Sequence, residues 1–158
     1  MSTLAKAVEL AVQKHAGQFE KPNAGEPYVL HPLRVMNGVQ GTEARMVAVL
    51  HDVVEDTATT PDDLRRMGFS EAVVQGVLAV SRREGETYAD FVVRAKADPL
   101  GRQVKLADLV DNFNLPRTLV RYDRLEKDLG RIRRYVLSYK FLTDEFTEAE
   151  YRAAMGPE

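Results

Sequence analysis

The stretch Thr42-Glu43-Ala44-Arg45-Met46-Val47-Ala48-Val49-Leu50-His51-Asp52-Val53-Val54-Glu55-Asp56-Thr57 decides how the whole chain is read. Met46, Val47, Val49, Leu50, Val53 and Val54 recur at the three- and four-residue steps of a helix. One helix is therefore predicted to open at Thr42-Glu43 and to carry all of them. Its apolar content predicts burial, so His51, Asp52, Glu55 and Asp56 would be costly there without a metal or partners to compensate them. In a helical setting His51 and Glu55 form one i,i+4 pair and Asp52 and Asp56 a second. Side chains at that spacing lie one above the other, so an imidazole and several carboxylates would share one small volume.

The same periodicity extends in both directions, and alternating strand-like runs are hard to find. The predicted fold is an all-α helical bundle, read as a single domain over residues 1–158. Ser2 or Thr3 is expected to cap a first helix ending near Gly17, and Pro22, Asn23, Gly25 and Pro27 mark a loop. A second helix begins at His31-Pro32 and runs to Gly38 or Gly41. Thr60-Pro61, Ser70-Glu71, Thr87 and Asp98-Pro99 open further helices, with a charged turn over 81–86 and a stop at Pro116. The longest periodic stretch covers about 123–142. There Leu125, Leu129, Ile132, Val136, Tyr139 and Leu142 are spaced for one buried face, which would close the core or pair two copies in a homo-oligomer. A short last helix covers 147–155.

Composition removes several classes of function. The 158 residues include no cysteine, which excludes disulfides and thiolate zinc sites. A net charge of -2, from 22 basic and 24 acidic residues, gives no general affinity for nucleic acid or an anionic membrane. No stretch approaches the roughly 18 apolar residues of a membrane span, and the first residues lack the apolar core of a signal peptide. A cytoplasmic location is the default expectation.

Three histidines are present, and each lies near a carboxylate, a loop suited to phosphate or both. His31 opens a helix, and Asp108 lies in the otherwise apolar run Val104-Lys105-Leu106-Ala107-Asp108-Leu109-Val110. A carboxylate on a buried face needs a cation or several donors, and Lys105 at i,i+3 is the purely structural answer. The chemical answer joins His31, His51, Asp52 and Asp108 into a set of two nitrogens and two oxygens suited to a six-coordinate ion such as Mn²⁺ or Fe²⁺. Zn²⁺ more often takes four ligands. Glu55 is then a base or orienter for an attacking water, or a partner that fixes His51. Lys21 in the loop is a candidate phosphate contact, with Arg34, Arg45, Arg82, Arg83 and Lys105 as further cations. Tyr88 either stacks on a base or fills the core.

Read in order, Tyr28-Val29-Leu30-His31-Pro32, His51-Asp52-Val53-Val54-Glu55-Asp56-Thr57 and Lys105-Leu106-Ala107-Asp108 with Asn112 resemble the HD superfamily of metal-dependent phosphohydrolases. More narrowly they resemble the hydrolase domain of RelA/SpoT-type alarmone enzymes and their small stand-alone relatives. His15-Ala16-Gly17-Gln18 and Lys21 to Tyr28 fit the same pattern, and the similarity covers about residues 10–118, with the C-terminal helices at about 121–155 beyond it. The resemblance implies one divalent ion, Mn²⁺ foremost, held by His31, His51, Asp52 and Asp108. It implies that Glu55 and Asp56 position or activate water, that Lys21 and Asn112 contact the nucleotide, and that the 3′-pyrophosphate of ppGpp or pppGpp is hydrolysed. No synthetase domain is expected at this length. The same chemistry on another phosphorylated nucleotide, such as an adenine-based alarmone, and nucleotide sensing without turnover are the alternatives. The chain departs from the pattern at Glu20, where an arginine usually lies against the guanine, and at Asp111, where many relatives carry histidine.

Overall fold

The computed structural model describes residues 1–20, 25–114 and 120–157, so Lys21 and the stop at Pro116 lie outside the described residues. The helices are α1 (Leu4–Lys14), α2 (Leu30–Asn37), α3 (Thr42–Leu50), α4 (Val53–Asp56), α5 (Pro61–Arg66), α6 (Glu71–Val80), α7 (Tyr88–Ala97), α8 (Pro99–Asn112), α9 (Leu125–Leu142) and α10 (Glu148–Met155). A 3-10 turn at Tyr122–Arg124 leads into α9. Among the described residues, the isolated bridge between Phe19 and Pro27 is the only strand-like pairing. The all-α expectation holds.

Local chemistry sets the helix starts. Thr3, Thr60, Ser70, Thr87, Asp98 and Thr147 each accept, through the side chain, the backbone N–H three residues on. That satisfies a donor the first helical turn otherwise leaves unpaired. Ser2 takes a different part. Its backbone N–H donates to Gly68 O at 2.8 Å and its hydroxyl to Met67 O at 2.6 Å, fastening the start of the chain to the end of α5.

Helix α3 is the axis of a first core. Val47, Ala48, Val49 and Leu50 are fully buried among residues of α1, α2, α6 and α8. Gly76 of α6 permits the closest approach: a Cβ there would stand 2.7 Å from a Val47 methyl. A second core joins α7, α8, α9 and α10 through Phe91, Val92, Leu109, Leu142 and the stacked rings of Phe141 and Tyr151, 4.5 Å apart. Arg94 of α7 fastens the 81–86 turn. Its guanidinium donates to Leu78 O, Ala79 O and Ser81 O and forks onto the Glu86 carboxylate, with both oxygens at 2.7 Å.

Two expectations are corrected. The helix opened at Thr42 does not run on through Val54; α3 stops at Leu50, His51 and Asp52 form a turn, and Val53–Asp56 is a separate single turn. His51 Nδ1 donates to Ala48 O at 2.7 Å, taking the carbonyl that a continuing helix would offer to Asp52 N–H. The face of α9 is also turned over most of its length. Leu125, Leu129, Val136 and Tyr139 are 39–47% exposed and Ile132 is half-buried; of the expected stripe Leu142 alone is buried, beside Asp128, Ser138 and Phe141. The inward face is held by polar bonds: Asp128 accepts the backbone N–H and guanidinium of Arg121, and Ser138 bonds the Tyr151 hydroxyl at 2.9 Å.

Candidate metal centre

Three separate pieces of chain bring the four suspected ligands together. His31 comes from the first turn of α2, His51 and Asp52 from the turn that ends α3, and Asp108 from α8. Ligand atoms of His31, His51 and Asp108 all lie within 4.8 Å of one another. Asp52 Oδ2 stands 3.0 Å from His51 Nε2 and 3.7 Å from His31 Nε2. Asp108 Oδ1 lies 3.3 Å from His31 Nε2 and 3.9 Å from His51 Nε2.

The outer partners orient this set. His51 Nδ1 faces a carbonyl and must carry the proton, and His31 Nδ1 meets Asp111 Oδ2 at 2.7 Å. With Nδ1 committed on both rings, Nε2 is the nitrogen each ring turns inward, the one a metal would take. Tyr28 donates its hydroxyl to Asp52 Oδ2 at 2.6 Å. Asp108 divides its oxygens: Oδ2 accepts Lys105 Nζ at 2.8 Å, while Oδ1 accepts Asn112 Nδ2 at 2.5 Å and faces the histidines. The structural and chemical readings of Asp108 are thus both realised, one on each oxygen.

Electrostatics follow this packing. Burial opposes ionisation of Asp52, yet the His51 and His31 imidazoles outweigh it and hold the carboxyl down to about 2. Burial likewise disfavours imidazolium at His31, but Asp108 and Asp111 push it up to about 10. Despite burial, Lys105 and His31 keep the Asp108 carboxyl far below the usual carboxylate range. Buried, convergent carboxylates beside two imidazoles with committed Nδ1 atoms fit one divalent metal ion.

The four residues form the floor of a cleft of about 660 Å³, a size suited to a nucleotide. Glu55 and Asp56, on α4, stand at its mouth. Glu55 turns to the backbone N–H of Arg82 at 2.9 Å, and burial, with Asp52 and Asp56 adding, raises its carboxyl above the ordinary glutamate value. Asp56 is raised by burial and then by Asp52. Asn112 lines the cleft while bonding Asp108, and Tyr88 is both core and cleft wall. Arg45 instead reaches Asn37 on the exterior, away from the cleft lining.

Sequence reasoning missed several lining residues. Arg131 and Tyr135 reach the cleft from the inner face of α9, and their i,i+4 spacing was the available signal. Glu20 and Asp111, the two departures from the family pattern, both line the cleft and both bond Arg34.

No protein-family model matches the chain. It is 34% identical over 132 residues to a probable GTP pyrophosphokinase of Mycobacterium leprae, covering 75% of this chain and 16% of that protein. It is 34% identical over 119 residues to a guanosine-3′,5′-bis(diphosphate) 3′-pyrophosphohydrolase of Aquifex aeolicus, covering 68% and 17%. A protein of the same name from Borreliella burgdorferi is 30% identical over 141 residues, covering 78% and 20%. The chain therefore spans only 16–20% of the length of these relatives. In fold it is similar to a solved structure described as a metazoan ortholog of SpoT that hydrolyzes ppGpp, with a TM-score of 0.73 over 98% of this chain and 92% of that one, at 21% identity. In sequence and in fold, the chain resembles the HD-type hydrolase of the RelA/SpoT proteins.

Proposed function

We propose that the protein is a metal-dependent phosphohydrolase that removes the 3′-pyrophosphate of ppGpp or pppGpp. The observation that carries this reading is the convergence of His31, His51, Asp52 and Asp108 on the floor of a nucleotide-sized cleft, with Glu55 and Asp56 at its mouth. The four residues would hold one ion, Mn²⁺ before Fe²⁺ or Zn²⁺. When bound, such an ion supplies Lewis acidity and neutralises charge on a phosphoryl oxygen.

The protein's own groups do the rest. Glu55, fixed by Arg82 N–H and raised by burial, takes a proton from the attacking water, and Asp56 helps to orient that water. The water oxygen bonds to the phosphorus on the 3′ oxygen, the O3′–P bond breaks, and O3′ takes a proton from solvent, giving pyrophosphate and a free 3′-hydroxyl. Lys105, Arg82 and Arg131 line the cleft as counter-charges for the phosphates. Asn112 and Lys21 are the proposed nucleotide contacts. The reading includes one domain, a cytoplasmic location, a nucleotide partner, and neither nucleic acid nor membrane. No described helix is long and apolar enough to cross a membrane. It also includes a homo-oligomer through the exposed stripe of α9. Glu126 near one end and Lys140 near the other would meet unlike charges on an antiparallel second copy, and a monomeric mass by sedimentation removes that part.

Product analysis tests the assignment. Purified protein with Mn²⁺ should release pyrophosphate from ppGpp, and Asp52→Ala should abolish release. The second reading keeps the site and exchanges guanine for adenine, because a carboxylate, Glu20, stands on the cleft wall. Turnover of an adenine-based alarmone in preference to ppGpp selects it. Thermal stabilisation by ppGpp without any product would instead make the protein a sensor.

A further inference from the structure

Glu20, Arg34 and Asp111 come from the loop before α2, from α2 and from α8, and they form one connected network. Arg34 Nη2 donates to Glu20 Oε1 at 2.5 Å, and Arg34 Nε donates to Asp111 Oδ1 at 2.8 Å. Asp111 Oδ2 then accepts His31 Nδ1 at 2.7 Å. The side chains of Glu20 and Asp111 are only 4% and 10% exposed, so these are desolvated contacts rather than surface pairs. The helical register explains the fit. Arg34 lies one turn beyond His31, and Asp111 lies one turn beyond Asp108. Helices α2 and α8 therefore present two matched rungs, one holding His31 against Asp108 and the next holding Arg34 against Asp111.

We propose that Asp111 is a positioning residue that fixes the ring of His31 for metal binding, and that Arg34, steadied by Glu20, holds Asp111 in place for that task. The inference rests on the metal-centre reading above. Asp111 holds a proton on Nδ1, so that Nε2 is the nitrogen the ring offers to a metal, and raises the donor strength of the ring. The Arg34 guanidinium bonds two carboxylates from different elements at once, a geometry its rigid planar donors allow and a lysine lacks. Removing Arg34 would take away the cation that joins these two buried carboxylates and would loosen the hold of Asp111 on His31. Glu20 thereby becomes an anchor for the loop that precedes α2.

The test is direct Mn²⁺ binding to the full chain, stripped with chelator and titrated while free Mn²⁺ is followed by electron paramagnetic resonance. Wild type should bind one equivalent. Asp111→Ala should raise the dissociation constant by roughly 10- to 100-fold, and Arg34→Met by a smaller factor of about tenfold or less. The double variant should be little worse than Asp111→Ala alone, because both changes act through one carboxylate. Asp111→Asn, nearly isosteric, guards against misfolding and should weaken binding in the same direction. Unchanged Mn²⁺ affinity in folded Asp111→Ala and Asp111→Asn, or full additivity of the two single losses, overturns the inference while leaving the metal centre intact. Absence of Mn²⁺ binding by wild type overturns the metal-centre reading, and this inference falls with it.

Discussion

Asp108 faces two demands, one oxygen held by Lys105 and the other turned to His31 and His51, and the consequences can be measured separately. Lys105 is a buried cation whose ammonium lies 4.7 Å from the centre of the Phe91 ring. Lys105→Met removes the partner of a buried carboxylate and should lower folding stability by about 3 kcal/mol, read from urea denaturation. A change under about 1 kcal/mol would mean that the histidines alone satisfy Asp108. Glu55 carries a pH prediction. Its folded pKa is raised by burial, so the carboxylate base forms only above the ordinary glutamate value. The kcat/KM of the proposed hydrolysis should therefore rise with pH through that raised value, and Glu55→Gln should erase the rising limb. The sign for stability is opposite: the folded state favours neutral Glu55, so this group's contribution weakens as pH climbs through the same window. At this scale the ligand set was legible, because histidine and aspartate on buried faces demand an explanation. Arg34, Glu20 and Asp111 were legible only as charges or departures from a pattern, since their pairing depends on how α2 and α8 face each other.

Among the elements, α9 separates what periodicity can say from what it cannot. The spacing of Leu125, Leu129, Ile132, Val136 and Tyr139 correctly announces a helix, but an apolar stripe carries no label saying whether this chain or another surface covers it. Here Arg121 bonds Asp128, and Ser138 separately bonds Tyr151, so that the mixed face can turn inward. The same inversion hid Arg131 and Tyr135 from sequence reasoning, because they lie on that inward face. Leu129→Ala should change stability by no more than about 0.5 kcal/mol, whereas Leu142→Ala should cost about 2–5 kcal/mol, both by denaturant titration. Equal costs would restore burial of the Leu129 end of the stripe. The break between α3 and α4 was illegible for another reason. It arises from one side-chain bond, His51 to Ala48, that competes with the backbone ladder.

Taken whole, the molecule places its cleft on the seam between two cores. His31, His51 and Asp52 hang from the first, Tyr88, Phe91 and Tyr135 from the second, and α8 contributes Asp108 between them. A ligand in this seam ties the cores together. Mn²⁺ at a hundredfold excess over its dissociation constant should add about 2.7 kcal/mol of stability, seen as a rise in Tm that chelator reverses. The all-α architecture was legible in full from repeated caps and apolar steps. The seam itself was not, since no local pattern records which helices share a core.

The cleft wall also dictates an order of arrival. Among the described residues six carboxylates line it, Glu20, Asp52, Glu55, Asp56, Asp108 and Asp111, against Arg82, Lys105, Arg131 and the His31 imidazolium. Arg34, behind Glu20 and Asp111, still leaves an excess of negative charge. A polyphosphate approaching such a surface meets net repulsion until a divalent charge has been added to the floor. In the proposed hydrolysis, nucleotide capture would therefore be gated by cation supply, and the apparent KM for nucleotide should fall as free Mn²⁺ rises.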